Sequence, residues 1–262
     1  MVNAAPKRSL GQHFLTDRNI LGAIVDAAGV GPGDTVIEVG PGRGALSAVI
    51  AERVGATGRV VAVELDRALA ATLRTTMPAH VEIVEADARQ ADAAALLGGC
   101  TPYRLLGNLP YYAAMPILRT FLEGLCLPVA AAVLVQREVA EQMCAQPGRM
   151  SLVSLAVQAF GTPRIARLVR PGAFNPPPKV TSAVVAIDVF REPASGVGDV
   201  PAFFRMARAG FSAPRKQLRN AIANGLGVPP AEAEALLARA GIEPSRRAQT
   251  LSIAEWAALA TA

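Results

Sequence analysis

"TVIEVGPGRGALSAVIAERV", residues 35–54, is the stretch on which the fold turns. Residues 35–39 are a short β-branched run, which favours a strand. Glycines at 40, 42 and 44 permit a tight turn and a close backbone approach. The remainder reads as a helix. The spacing is GxGxG, not the GxGxxG of dinucleotide binders. Alone it is weak, because a tight βα turn needs glycines for no functional reason.

Outward from this unit the pattern repeats. "RVVAVELD" (59–66) and "VEIVEADA" (81–88) are strands ending on acids, with a helical stretch at 67–76 between them. "YRLLGN" (103–108) and residues 130–136 are a fourth and a fifth strand, the latter followed by a helix over 137–144. Strands alternating with helices predict an α/β fold, a mostly parallel Rossmann-like sheet covered on both faces. Right-handed crossovers place all these strand ends on one edge. Towards the N-terminus, Thr16 or Asp17 can cap a helix with Ile20, Ile24, Val25 and Ala28 at helical spacing.

Beyond 150 the rhythm changes. Residues 151–160 read as a helix, and 164–170 and 181–190 as strands joined only by "PGAFNPPPK". Prolines keep that joint extended, which predicts an antiparallel edge on the parallel sheet. Residues 191–200 are a linker by composition. Helical patterns follow at 202–212, 214–225, 229–240 and 252–260. The expected organisation is an α/β domain over 1–190 and a small all-α domain over 201–262.

Composition narrows the function classes. The chain has 262 residues, 52% of them hydrophobic, a net charge of +5 and a pI near 9.6. Residues 201–262 carry eight bases and four acids, and 142–187 contain no acid at all. This balance points to a polyanionic partner, with Arg215, Lys216 and Arg219 of "PRKQLR" expected within about one helical turn. Cys100, Cys126 and Cys144 are widely spaced and odd in number, which argues against a disulfide framework and for a reducing compartment. His13 and His80 form no ligand-spaced cluster, so no metal site is expected. There is no signal-like segment and no run long enough to span a bilayer, so a cytoplasmic protein is expected.

Ligands of open parallel sheets bind outside the carboxyl ends of the strands. There the sequence places Gly40, Glu64, Asp87 and Asn108. A glycine loop, a carboxylate suited to ribose hydroxyls and an acceptor for an exocyclic amine together describe an adenosine pocket. Taken singly, Asp87 reads as a helix cap for 88–97. "NLPY" (108–111) adds the Asn108 carbonyl oxygen, a Leu109 carbonyl exposed by Pro110, and the Tyr111 ring. Two acceptors and a stacking ring suit a flat base bearing an amine.

"KRSLGQHFL" (7–15), "VIEVGPGRGALS" (36–47), "VVAVELD" (60–66), "EADA" (85–88), "GNLPYY" (107–112), "QREVAEQM" (136–143) and "FNPPPKVTSAVV" (174–185) resemble the rRNA adenine N-dimethyltransferase family, nearest its bacterial small-subunit branch. "FSAPRKQLRN" (211–220) and "RRAQTLS" (246–252) extend the resemblance. It implies a class I methyltransferase domain with a helical RNA-binding domain, and S-adenosylmethionine as methyl donor. It implies dimethylation of two adjacent adenosines near the 3′ end of small-subunit rRNA, on the immature small ribosomal subunit, by a monomer. By position it puts cofactor contacts at His13, Leu15, Gly40, Glu64, Asp87 and Asn108. Asn108, Leu109, Tyr111 and Phe174 would hold the target base, with Phe174 covering the face opposite Tyr111. Arg246 and Arg247 would join the RNA contacts. The chain departs from the family at His13, where asparagine is usual, and at Tyr112-Ala113-Ala114-Met115. Alternatives are a large-subunit enzyme of the resistance type and a ribosome-assembly binding factor. GxGxG and NLPY disfavour an oxidoreductase, and Leu109 stands where a DNA adenine methyltransferase usually has a second proline.

Overall fold

A computed structural model describes residues 13–262 of the chain. Lys7 through Gln12 of the first resemblance motif lie outside the described residues. The chain divides into two compact units. One runs to Ala140 and resumes over Thr162–Arg191; the other comprises Glu141–Gly161 and Glu192–Ala262. Residues 141–161, assigned from sequence to the first domain, therefore belong with the C-terminal helices.

The first unit opens with β1 (Phe14–Leu15) and α1 (Arg18–Ala27), whose first amides at Asn19 and Ile20 are capped by Asp17. Then come β2 (Thr35–Val39), α2 (Ala45–Val54), β3 (Arg59–Glu64), α3 (Arg67–Thr76) and β4 (Val81–Glu85). Asp87 caps a short 3-10 turn at Ala88–Gln90, and Asp92 caps α4 (Ala93–Leu97). The single helix expected over 88–97 is thus broken in two, because each aspartate takes the amides of its own start. β5 (Arg104–Asn108), α5 (Ala114–Leu122), β6 (Ala130–Gln136) and α6 (Arg137–Met143) complete the alternation. α7 (Leu152–Gln158) leads into β7 (Gly161–Val169), β8 (Phe174–Asn175) and β9 (Ser182–Val189).

The strand order is β4-β3-β2-β5-β6-β9-β7. From β4 to β6 every pairing is parallel, and β9 runs antiparallel to β6. The antiparallel pairing lies at the proline-linked end of the sheet, with β7 outermost. The central strands are Val-, Ile- and Leu-rich and buried on both faces, as a doubly covered parallel sheet requires. A pairing that the sequence does not announce joins β1 to β8, with Leu15 opposite Phe174.

Cys100 and Cys126 are bonded to each other, with Cα atoms 5.4 Å apart. This corrects the expectation against disulfide bonding, and the cysteine argument for a reducing compartment falls with it. The reason is register. Arg104 pairs with Ala130 at the starts of neighbouring parallel strands, so residues four positions upstream in each chain segment come side by side. Distance along the sequence does not report that.

The second unit holds α7, α8 (Val200–Phe211), α9 (Leu218–Leu226), α10 (Pro230–Arg239) and α11 (Ile253–Thr261). Trp256, fully buried, stacks on Phe211, and Phe203 and Phe204 meet edge to face. No helix among the described residues is long and apolar enough to cross a membrane.

Candidate active site

The carboxyl ends of β2, β3 and β5, with the turn after β4, surround one cavity. Gly40, Gly42, Glu64, Asp87, Asn108 and Tyr111 all line it, as do His13 and Leu109. Topology brings them together: β2 is flanked by β3 and β5, so residues up to 68 positions apart share one sheet edge. Gly42 has φ +58°, and a Cβ there would lie 3.1 Å from the Phe14 ring. Gly107 sits where a Cβ would approach the Val39 carbonyl to 2.6 Å. Gly42 is therefore required by its positive φ beside the Phe14 ring, and Gly107 by the close approach of the Val39 carbonyl.

Asn108 is oriented by chemistry that leaves no choice. Its amide faces the His13 carbonyl at 3.0 Å, and a carbonyl only accepts, so the NH2 group must point there. No described residue donates to Oδ1, which remains as the acceptor of a residue lining the cavity. Tyr111 shares a 2.7 Å hydrogen bond between its hydroxyl and Ser182 Oγ, and burial pushes that hydroxyl's pKa up. The phenol is thus kept protonated, and its ring lies 6.0 Å from that of His13, nearly parallel at 25°. The His13 ring is itself fixed by a 2.9 Å contact between Nδ1 and the Pro176 carbonyl.

Glu64 is only 6% exposed and accepts from the Gly42 amide at 2.9 Å and the Asp66 amide at 2.8 Å. Burial raises its pKa, while those two amides hold it down. Each carboxylate oxygen has a second lone pair to offer. Asp87 accepts a fork from Arg89, with both oxygens 3.0 Å from Nε, and caps the Arg89 amide at 3.0 Å. Arg89 therefore holds its carboxyl below the usual range, so it is anionic at neutral pH. Capping and lining the cavity coexist in this residue.

Glu38 was not singled out from sequence. It lies in the middle of β2, is wholly buried, and neither oxygen has a hydrogen-bond partner among the described residues. Burial pushes it up to about 8; the Ser47 hydroxyl, close by but outside hydrogen-bond geometry, opposes the rise and the charge of Glu64 adds to it. An acid inside a β-branched strand was the available signal.

The whole chain has close relatives. Residues 3–262 match the ribosomal RNA adenine dimethylase family. The chain belongs to the ribosomal RNA adenine dimethylase family. It is 46% identical over 253 residues to ribosomal RNA small subunit methyltransferase A of Dehalococcoides mccartyi, covering 95% of this chain and 86% of that one. The namesake in Anaeromyxobacter dehalogenans is 43% identical, with 97% and 92% covered. Among solved structures, the dimethyladenosine transferase of Plasmodium falciparum superposes with a TM-score of 0.77 at 23% identity, covering 94% of this chain and 96% of that one. The 23S rRNA methyltransferase ErmE reaches 0.69 at 25%, covering 95% and 98%.

In this dimethylase, three groups of residues sit differently from the sequence reading. Leu15 lines a smaller adjoining hollow, shared with Gly40, Gly42 and Asn108. Phe174 is 4% exposed, belongs to a hydrophobic core cluster, and does not line the cavity. The short β1–β8 pairing carries it inward with Leu15. Arg215 and Lys216 precede α9 and are not on it: Pro214 cannot continue a helix from α8, Lys216 closes a turn onto Ala213, and α9 starts at Leu218. Both are exposed, as is Arg247. Arg219 pairs with Glu234 at 2.7 Å, and Arg246 pairs with Glu255.

Proposed function

We propose that this dimethylase transfers methyl groups from S-adenosylmethionine to the exocyclic amines of two adjacent adenosines near the 3′ end of small-subunit rRNA, acting as a monomer in the cytoplasm on immature small subunits. The observation that carries this reading is Asn108, whose amide nitrogen is anchored on His13 so that its oxygen is left to accept from an amine. The residues suit the donor. The glycine loop leaves room beside Phe14, Glu64 stays available to a ribose, and anionic Asp87 accepts from an adenine amine. When bound, S-adenosylmethionine supplies an electrophilic methyl group.

The protein's own work is orientation. The amine of adenine is a weak nucleophile because its lone pair is delocalised into the ring. Asn108 Oδ1 and the Leu109 carbonyl accept its two hydrogens and hold the nitrogen for attack at close range. Tyr111, fixed by Ser182 and kept protonated, serves as a stacking surface and not as a base. The displaced proton leaves to water. A base must be splayed from its stack to enter such a cavity. Identities of 42–46% to proteins named for the small subunit favour that substrate over the large subunit. Labelled methyl transfer to unmodified small subunits against large subunits, with mapping of the modified base, tests the proposal. Label appearing in large subunits alone would overturn it.

A further inference from the structure

β7 is the outermost strand of the sheet, and its free rim is basic. Arg164 and Arg167 lie on it, on opposite faces of the edge strand, Arg170 directly follows its end, and Lys179 follows across the proline loop. All four are exposed, and none forms an ion pair among the described residues. No acid occurs between 142 and 187; the next, Asp188, pairs with Ala130 at the amino end of β6, away from the cavity. Exposed Ile165 and Leu168 stand between the arginines, and exposed Val180 follows Lys179.

The rim is continuous with the cavity. Arg170 and Lys179 bracket the segment whose β8 pairs with Phe14 and whose Pro176 carbonyl holds the His13 ring. Three residues beyond Lys179, Ser182 holds the Tyr111 hydroxyl. At about 3.3 Å per residue, Arg164 to Arg170 spans roughly 20 Å of extended chain. Charges on an edge strand can simply prevent edge-to-edge pairing. That role does not require one sign, nor a run leading to the cavity.

We propose that the β7 rim and the loop ending at Lys179 form the track for the RNA strand flanking the target adenosines. The four cations contact phosphates, and Leu168 and Val180 lie against bases. This rests on the rRNA reading above, and names the surface of the first unit that delivers the substrate. Long, flexible cations along an extended edge fit a single strand, where backbone charge supplies most of the affinity.

The test is the variant R164E/R167E/R170E beside R164K/R167K/R170K. Each is titrated against unmodified small subunits and against rRNA stripped of protein. The charge-reversed variant should bind both on the order of 10- to 100-fold more weakly, with a salt dependence shallower by about 0.7 per lost contact. The lysine variant should bind as the parent does, and both should bind S-adenosylmethionine unchanged. Parent-like RNA affinity in a soluble glutamate variant would reduce the rim to edge protection and overturn the inference. So would a loss confined to intact subunits, which would assign the rim to a protein partner. A parent protein that binds neither probe would instead refute the rRNA reading itself.

Discussion

In the cavity, Glu64 is held by the Gly42 and Asp66 amides, and Asn108 by the His13 carbonyl. In the helical unit, Arg219 and Arg246 are held by Glu234 and Glu255. Backbone anchors orient a side chain and leave its remaining lone pairs facing the cavity. Side-chain ion pairs neutralise both partners, and exposed pairs of this kind contribute at most about 1 kcal/mol. Glu64 and Asn108 are therefore preorganised, while in the helical unit, as at the Arg89–Asp87 pair of the cavity, part of the formal charge is already engaged. Arg246 also draws the Glu255 carboxyl below its usual range, so that acid competes with phosphate for the guanidinium.

The largest effect should come from the cavity. Asn108→Ala removes the proposed amine acceptor and should reduce methyl transfer on the order of 10³-fold, or about 4 kcal/mol of barrier. Binding of rRNA should barely change; a fully active variant would sink the assignment. Phe174→Ala, placed in the core and not in the cavity, should cost about 3–5 kcal/mol in urea unfolding. A stable variant with impaired turnover would return Phe174 to the substrate face.

Glu38 offers a pH test of the strand that leads into the glycine loop. Its folded pKa stands above the unfolded value, so the folded state binds the proton more tightly. Stability is full below pH 4.5 and falls as pH rises through the window up to about 8. Glu38→Gln should remove that slope, gaining on the order of a few kcal/mol over the parent at pH 8 and little at pH 4.5. Parallel stability profiles would mean that Glu38 is charged in the fold. The smallest effect belongs to the helical unit. Arg215→Gln with Lys216→Gln should weaken rRNA binding a few-fold, with a salt slope shallower by about 0.7 per contact. Arg219→Gln should change it less. The reverse order would show that the Glu234 pair opens for RNA.

Most of the sheet was legible because βα alternation writes itself into hydrophobic periodicity. The strand at 35–39 and the helix at 67–76 were read with the bounds they have. That Gly40, Glu64, Asp87 and Asn108 share one cavity was legible because parallel topology forces strand ends to one edge. Strand position alone does not tell that the Glu38 side chain is wholly buried. The helix predicted from 214 starts only at Leu218, because Pro214 lacks an amide and Lys216 turns back onto Ala213.

The amino-acid order alone determined the alternation of strands and helices, the glycine loop, and which side chains stand at the strand ends. Those follow from local backbone preference and the handedness of crossovers. Tertiary structure decided which atom of Asn108 is free, where Phe174 goes, which arginines are already paired, and that Cys100 meets Cys126. Each of these depends on a partner from a distant segment. Such contacts are set by strand order and register, not by spacing along the chain.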